Sequence, residues 1–297
     1  MASAAGKRVC EVFGRNVDCA VRSMAPGFAA SCFTLRSDLA VGVLRIWAMV
    51  NLSVNLNKIA VLRNSRGGNI PDVLEAARSV IKAGCHGITV HPRPDGRHIR
   101  RRDVLELGQM LTVEFNIEGY PSPEFLELVC QVRPAQCTLV PDPPDALTSN
   151  AGWDLASGNY HWLRAILSSL RDHGIRSSLF LEADVTQVPR ARALGADRIE
   201  LFTGPYAAAF GTSEGDRVLQ MHCEAARIAR EEGIEVNAGH DLNLANIPAY
   251  IMAVEPLAEV SIGHALICDA LYMGLAQAVE AYLKALGSKP RTQAIRN

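Results

Sequence analysis

Lysine is scarce in this chain. Only five of its 297 residues are lysine, at 7, 58, 82, 284 and 289, so arginine carries most of the positive charge. Schiff-base chemistry needs a lysine in its pocket, and Lys58, just after the first apolar run, is the one placed for it. The eight cysteines, at 10, 19, 32, 85, 130, 137, 223 and 268, form no C-x-x-C pair. That removes the common structural zinc pattern and reads as scattered buried thiols. There is no H-x-H at a strand end and no H-E-x-x-H, so no metal centre is expected; His91, Glu118 and His240 are the one alternative ligand set. Apolar runs of ~18 residues, the length of a membrane span, are missing. The longest candidate, LAVGVLRIWAMVNLSV, is broken by Arg45. The chain therefore reads as cytoplasmic. A formal net charge of -1 gives no reason to expect nucleic acid or an anionic membrane as partner.

What is present is a repeated alternation. Short β-branched runs occur at LSVNL (52–56), GITVH (87–91), TVEFNIE (112–118), CTLV (137–140), SSLFLE (177–182), DRIELF (197–202), IEVNAG (234–239) and AEVSIG (258–263). Such runs, apolar on both faces, predict strands of a buried parallel sheet. Amphipathic stretches separate most of them. PDVLEAARSVIKAG opens with Pro71 and Asp72 and ends at Gly84, and DRVLQMHCEAARIAREEG ends at Gly233, the punctuation of helices. Eight strands with helices between them predict an α/β fold, a (β/α)8 TIM barrel with extra short helices. An open doubly wound sheet would carry a glycine-rich phosphate loop after its first strand, and NKIAVLRNSRGGN matches neither form. The barrel is assigned to residues 49–286, with a tail at 287–297. Residues 1–48 hold six Lys/Arg against three acids and show no clear periodicity. They read as an atypical extension: a disordered, targeting-like segment, or an over-long start with translation from Met49.

In a barrel, chemistry gathers where strands end. Those positions hold Asn55 and Asn57, then His91, Arg93 and His98, then Glu118, with Thr148 in the long loop at 141–162. Glu182 and Glu200 end the fifth and sixth strands; His240 and His264 follow the seventh and eighth. Glu118, beside so apolar a run, is expected to have a shifted pKa. Two anion sites are expected. One is the helix start at Gly263 and His264, where free N–H groups and the helix dipole attract phosphate. The other is a set of forked donors from Arg63, Arg66, Arg93 and Arg97, with His98 beside them. Arg100, Arg101 and Arg102 read as surface, and Asp103 as a helix N-cap.

The segments VNLNKIAVLRNSRGG, GITVHPRPDGRHI, FNIEGYPS, CTLVPD, TSNAGWDL, IELFTGPYA, VNAGHDLN and SIGHALI together resemble the pyridoxine 5'-phosphate synthases of bacterial vitamin B6 biosynthesis. The resemblance runs from Met49 to about Leu286. It implies a homo-octamer of TIM barrels that uses no metal or organic cofactor. The implied reaction condenses 3-amino-2-oxopropyl phosphate with 1-deoxy-D-xylulose 5-phosphate, giving pyridoxine 5'-phosphate, phosphate and water. It implies proton acceptors at His91 and Glu118, a proton donor at His240 and transition-state assistance from Glu200. The aminooxopropyl phosphate is implied at Asn55, Arg66, Gly263 and His264, and the deoxyxylulose phosphate at Arg93, His98 and Thr148. Two departures stand out. Asn57-Lys58 replaces the Asp-His of many members; Asn57 cannot take a proton, while Lys58 can bring charge to a phosphate. Asp241 replaces a glycine of many members, and its carboxylate would repel a phosphate unless turned away. The rivals are another phosphate-binding aldolase or isomerase barrel, and a non-catalytic barrel that binds a phosphorylated metabolite.

Overall fold

The computed structural model describes residues 49–142, 149–158 and 160–291. The expectations for 1–48, for Thr148 and for the end of the tail lie outside these. The chain enters β1 (Asn51–Asn55), turns at once into α1 (Asn57–Asn64), and continues through α2 (Val73–Lys82) to β2 (Gly87–Val90). Then follow α3 (Arg101–Met110), β3 (Glu114–Gly119), α4 (Pro123–Val132), β4 (Gln136–Leu139), α5 (His161–Asp172) and β5 (Arg176–Leu181). The second half runs α6 (Gln187–Leu194), β6 (Arg198–Leu201), α7 (Gly204–Ala209), α8 (Ser213–Glu232), β7 (Glu235–His240), α9 (Ile247–Ala253), β8 (Glu259–Ile262), α10 (His264–Met273) and α11 (Leu275–Ala285). The strands pair in parallel in sequence order, and β8 closes on β1. Among the described residues no helix is long and apolar enough to cross a membrane.

Local sequence explains the helix ends. The Asp72 carboxylate accepts from the N–H groups of Leu74 (2.7 Å) and Glu75 (3.0 Å), satisfying donors that α2 itself leaves unpaired. Gly233 ends α8 in the left-handed region at φ 65°. That helix begins at Ser213, before the expected Asp216, because the Thr212 hydroxyl caps it from outside the apolar pattern. Asp103 is not an N-cap. It lies in the first turn of α3, where its carboxylate takes the Arg100 N–H (2.8 Å) and both terminal nitrogens of buried Arg63 (2.6 and 2.9 Å).

The strands are not apolar on both faces. Leu52, Val54, Ile88, Val90, Ile117, Leu139, Leu179, Leu181, Ile199, Leu201, Val260 and Ile262 are fully buried in the hydrophobic core. The alternate residues, most of them polar, face the barrel interior, as the two-residue strand period requires. There Ser53 and Thr89 share a 2.7 Å hydroxyl contact, Thr138 donates to Asn116 (3.1 Å), and Arg176 and Arg198 donate to Gln136 (3.0 and 3.1 Å). Short β-branched runs concealed this alternation, since serine, threonine and asparagine inside them are tolerated where partners exist.

The tail adds a contact the sequence did not announce. Ser288 donates to the Val50 carbonyl (2.5 Å) and Arg291 N–H to Gly84 (3.0 Å). The His86 ring accepts from Leu52 N–H through Nδ1 (3.0 Å), so its Nε2–H donates to the Lys289 carbonyl (3.0 Å). The chain end through residue 291 thus packs beside the N-terminal ends of β1 and β2, at the end of the barrel away from the candidate site.

Candidate active site

At the other face the strand ends surround a cavity of about 330 Å³. It is lined by Asn55, Asn57, Lys58, His91, Arg93, His98, Glu118, Glu200, His240, Asp241, Gly263 and His264, all expected from sequence. Thr138, Val140, Ser149, Phe180 and Ser261 also line it and were missed. Their signal was parity: Thr138 and Phe180 pair in register with Glu118 and Glu200, and Ser261 pairs with Ser53 and Gly239.

The first three loops interlock. Asn55 at the end of β1 accepts the Asn57 N–H (3.0 Å) and reaches Glu118 Oε2 at 3.5 Å. The Asn57 amide oxygen accepts the His91 N–H (2.9 Å), so its side chain fixes backbone just beyond β2 and needs no proton of its own. His91 Nδ1 lies 3.9 Å from Glu118 Oε2. Burial, then the charges of Arg93, His98 and His240, hold the His91 pKa well below its usual value. Burial pushes the Glu118 carboxyl up to about 7, although His240 draws it down. Glu200 is raised well above a normal carboxyl, first by burial and then by Glu118 and Glu259. Burial therefore favours the neutral form of the His91 imidazole and the protonated form of Glu200, beside a Glu118 carboxyl raised to about 7, a set suited to proton transfer at carbon.

His240 differs from these. It is a non-glycine residue in the left-handed region, at φ 33°. The Thr203 hydroxyl bridges the turn, donating to the Gly239 carbonyl (2.6 Å) and accepting the Asp241 N–H (3.3 Å). Gly239 is needed because a Cβ there would sit 2.1 Å from the Ser261 carbonyl oxygen. Asp241 turns its carboxylate to His240 Nδ1 at 2.6 Å, and the Phe180 and Phe202 rings flank the imidazole. Burial opposes charge on His240, but Asp241, Glu118 and Asp142 outweigh it and raise its pKa.

Two features face anions. α10 starts at His264 directly after β8, with no acid in its first turn. A Cβ at Gly263 would meet the Asn55 side chain at 3.1–3.3 Å, so glycine lets that helix start approach the cavity. Lys58, Arg93 and His98 bring further donors to the cavity lining. Arg93 is buried against Asp142 (2.7 Å), which also accepts from Ser149 (2.5 Å). Asp142 was missed; it stands two residues beyond the fourth predicted strand. The Ile99 N–H donates to His98 Nδ1 (2.9 Å), leaving the His98 proton on Nε2. Burial, Arg93 and Lys58 press the His98 pKa down to about 4.

Some expected residues do not converge here. Arg63 is bound to Asp103 and the His98 carbonyl, so it braces the loop and is no phosphate donor. Arg66 is exposed beyond α1 and does not line the cavity; α1 carries the chain about 12 Å along its axis from Asn57. Arg97 is paired with Asp95 (2.7 Å). Glu182 is occupied by the Gly152 N–H (3.0 Å), holding the long connection over β5. Among the described residues no group of three or more His, Cys, Asp or Glu is arranged to hold a metal ion.

Comparison with known proteins agrees with this geometry. Solved structures share the fold at low identity; thiamine phosphate pyrophosphorylase from Pyrococcus furiosus matches 81% of this chain and 96% of its own, at TM-score 0.50 and 13% identity. Sequence relatives are far nearer. Pyridoxine 5'-phosphate synthase of Phocaeicola vulgatus is 52% identical over 240 residues, covering 81% of this chain and all of the relative. The synthase of Cytophaga hutchinsonii is 48% identical over 238 residues, covering 80% and 99%. Residues 52–288 match the family model of the pyridoxal phosphate biosynthesis protein PdxJ. By both measures the chain belongs to the PdxJ family.

Proposed function

We propose that this chain is a pyridoxine 5'-phosphate synthase that joins 3-amino-2-oxopropyl phosphate to 1-deoxy-D-xylulose 5-phosphate through His91, Glu118, Glu200 and His240. The observation that carries this is the convergence of those four side chains, three from β3, β6 and β7 and His91 from just beyond β2, on one cavity that Lys58, Arg93, His98 and the start of α10 also line. Ring formation needs an imine, loss of phosphate and water, and carbon–carbon closure. Each stage moves protons at carbons beside a carbonyl or imine. His91, held neutral, accepts a proton. Glu118, titrating near 7, accepts one and returns it. His240, whose pKa Asp241, Glu118 and Asp142 raise, donates to a departing oxygen. Glu200, whose protonated form burial favours, donates a hydrogen bond to developing negative charge. Such groups each contribute about 10²–10⁴-fold. The α10 start with Gly263, His264 and Asn55 receives one phosphate; Lys58, Arg93 and His98 receive the other substrate.

The homo-octamer is part of this proposal. It is supported by the apolar side chains exposed on α1 (Val61, Leu62) and α10 (Leu271, Tyr272, Met273), two helices packed together, which association would cover. A cytoplasmic location suits substrates that are charged phosphates. The test is incubation with both phosphorylated substrates. Pyridine product and inorganic phosphate should appear in equal amounts, and only when both are present. Ligand binding without product would overturn the proposal.

A further inference from the structure

We infer that Asp241 is a positioning residue for His240: its carboxylate holds the imidazole Nδ1–H and thereby sets Nε2 as the nitrogen that exchanges a proton with substrate. The contact is short and direct, 2.6 Å from His240 Nδ1 to Asp241 Oδ2. Both residues are held independently of it. The Thr203 hydroxyl clamps the backbone on either side of His240, and the flanking Phe180 and Phe202 rings limit its rotation. Asp241 thus spends its carboxylate on the imidazole, which answers how an acid is tolerated beside a phosphate-binding wall.

The inference rests on His240 being the proton donor. The donation balances simply. Nε2–H passes its proton to a substrate oxygen, the imidazolium becomes neutral imidazole, and Nδ1–H stays hydrogen-bonded to Asp241. Among the described residues, the other titratable groups that act on His240 include Glu118 on β3, Asp142 beyond β4 and His91 beyond β2. Glu118 and Asp142 reinforce the imidazolium, but neither has a hydrogen bond of this kind to fix the tautomer.

The test compares Asp241→Asn and Asp241→Gly in the full chain. Imidazole NMR titration of His240 is read beside kcat and KM against pH. Removing the charge should lower the His240 titration by about one pH unit or more and move the alkaline limb of kcat down by the same amount. Turnover at pH 8 should fall about tenfold, with KM changed less than twofold. Asn retains an acceptor for Nδ1–H and should keep the tautomer; Gly should lose it. An unchanged titration and alkaline limb in both variants would overturn the inference. Asp241→Asn is nearly isosteric, so the test survives a folding failure of the glycine variant. Normal turnover in His240→Asn would instead sink the donor assignment on which the inference stands, whatever the Asp241 variants show.

Discussion

Replacing Glu118 with Gln should cost turnover and stabilise the fold, and the two effects have one cause. The Glu118 carboxyl is raised from 4.5 to about 7, chiefly by burial. A carboxyl harder to ionise when folded than when unfolded destabilises the fold wherever the unfolded chain has already lost that proton. The penalty is absent below pH ~4.5, grows through pH 7 and then levels off. At ~1.4 kcal/mol per pH unit it reaches about 3 kcal/mol at pH 8 and falls to under ~1 kcal/mol at pH 5. Glutamine keeps the shape and still offers an oxygen to Asn55, but it never ionises. Glu118→Gln should therefore melt roughly 6–12 °C higher than the parent at pH 8, with a several-fold smaller gain at pH 5. Turnover should drop by about 10²–10⁴. Calorimetry at the two pH values and a product assay read both effects. An equal melting gain at both pH values would refute the burial argument, and normal turnover would refute the catalytic one.

Arg63→Met should destabilise the barrel by about 3–5 kcal/mol, since it strands the buried Asp103 carboxylate. Denaturant unfolding measures this, and a KM for either substrate close to the parent's would separate bracing from phosphate binding. Arg93→Ala should chiefly raise KM, because Arg93 lines the cavity as a buried cation; a change confined to kcat would contradict that placement. The His98 imidazole should stay neutral down to pH 5 in an NMR titration, its proton on Nε2. Titration near 6.5 would mean that the burial and neighbouring cations invoked for it do not act.

How much of this was legible beforehand follows from the range of the interactions. Strand and helix identity are local matters. The runs at 87–91 and 258–263 and the caps at Asp72 and Gly233 carry them, so the barrel and its order of elements could be read directly. Because a barrel places every strand end on one rim, His91, Glu118, Glu200 and His240 could be expected there without knowing a single distance. Pairing between loops was not legible. Nothing near Arg63 says that Asp103, forty residues on, will neutralise it, or that Asp142 will meet Arg93. Nor does the neighbourhood of Glu182 reveal that Gly152 will claim it. The polar barrel interior and the contacts of Ser288, Lys289 and Arg291 with Val50, His86 and Gly84 were equally hidden, because each depends on partners distant in sequence. The sequence by itself determined which residues reach the rim, through periodicity and chain direction. Only the tertiary structure decided which of them keep their charge for chemistry and which lose it to a partner, because burial and cross-strand distance set that balance.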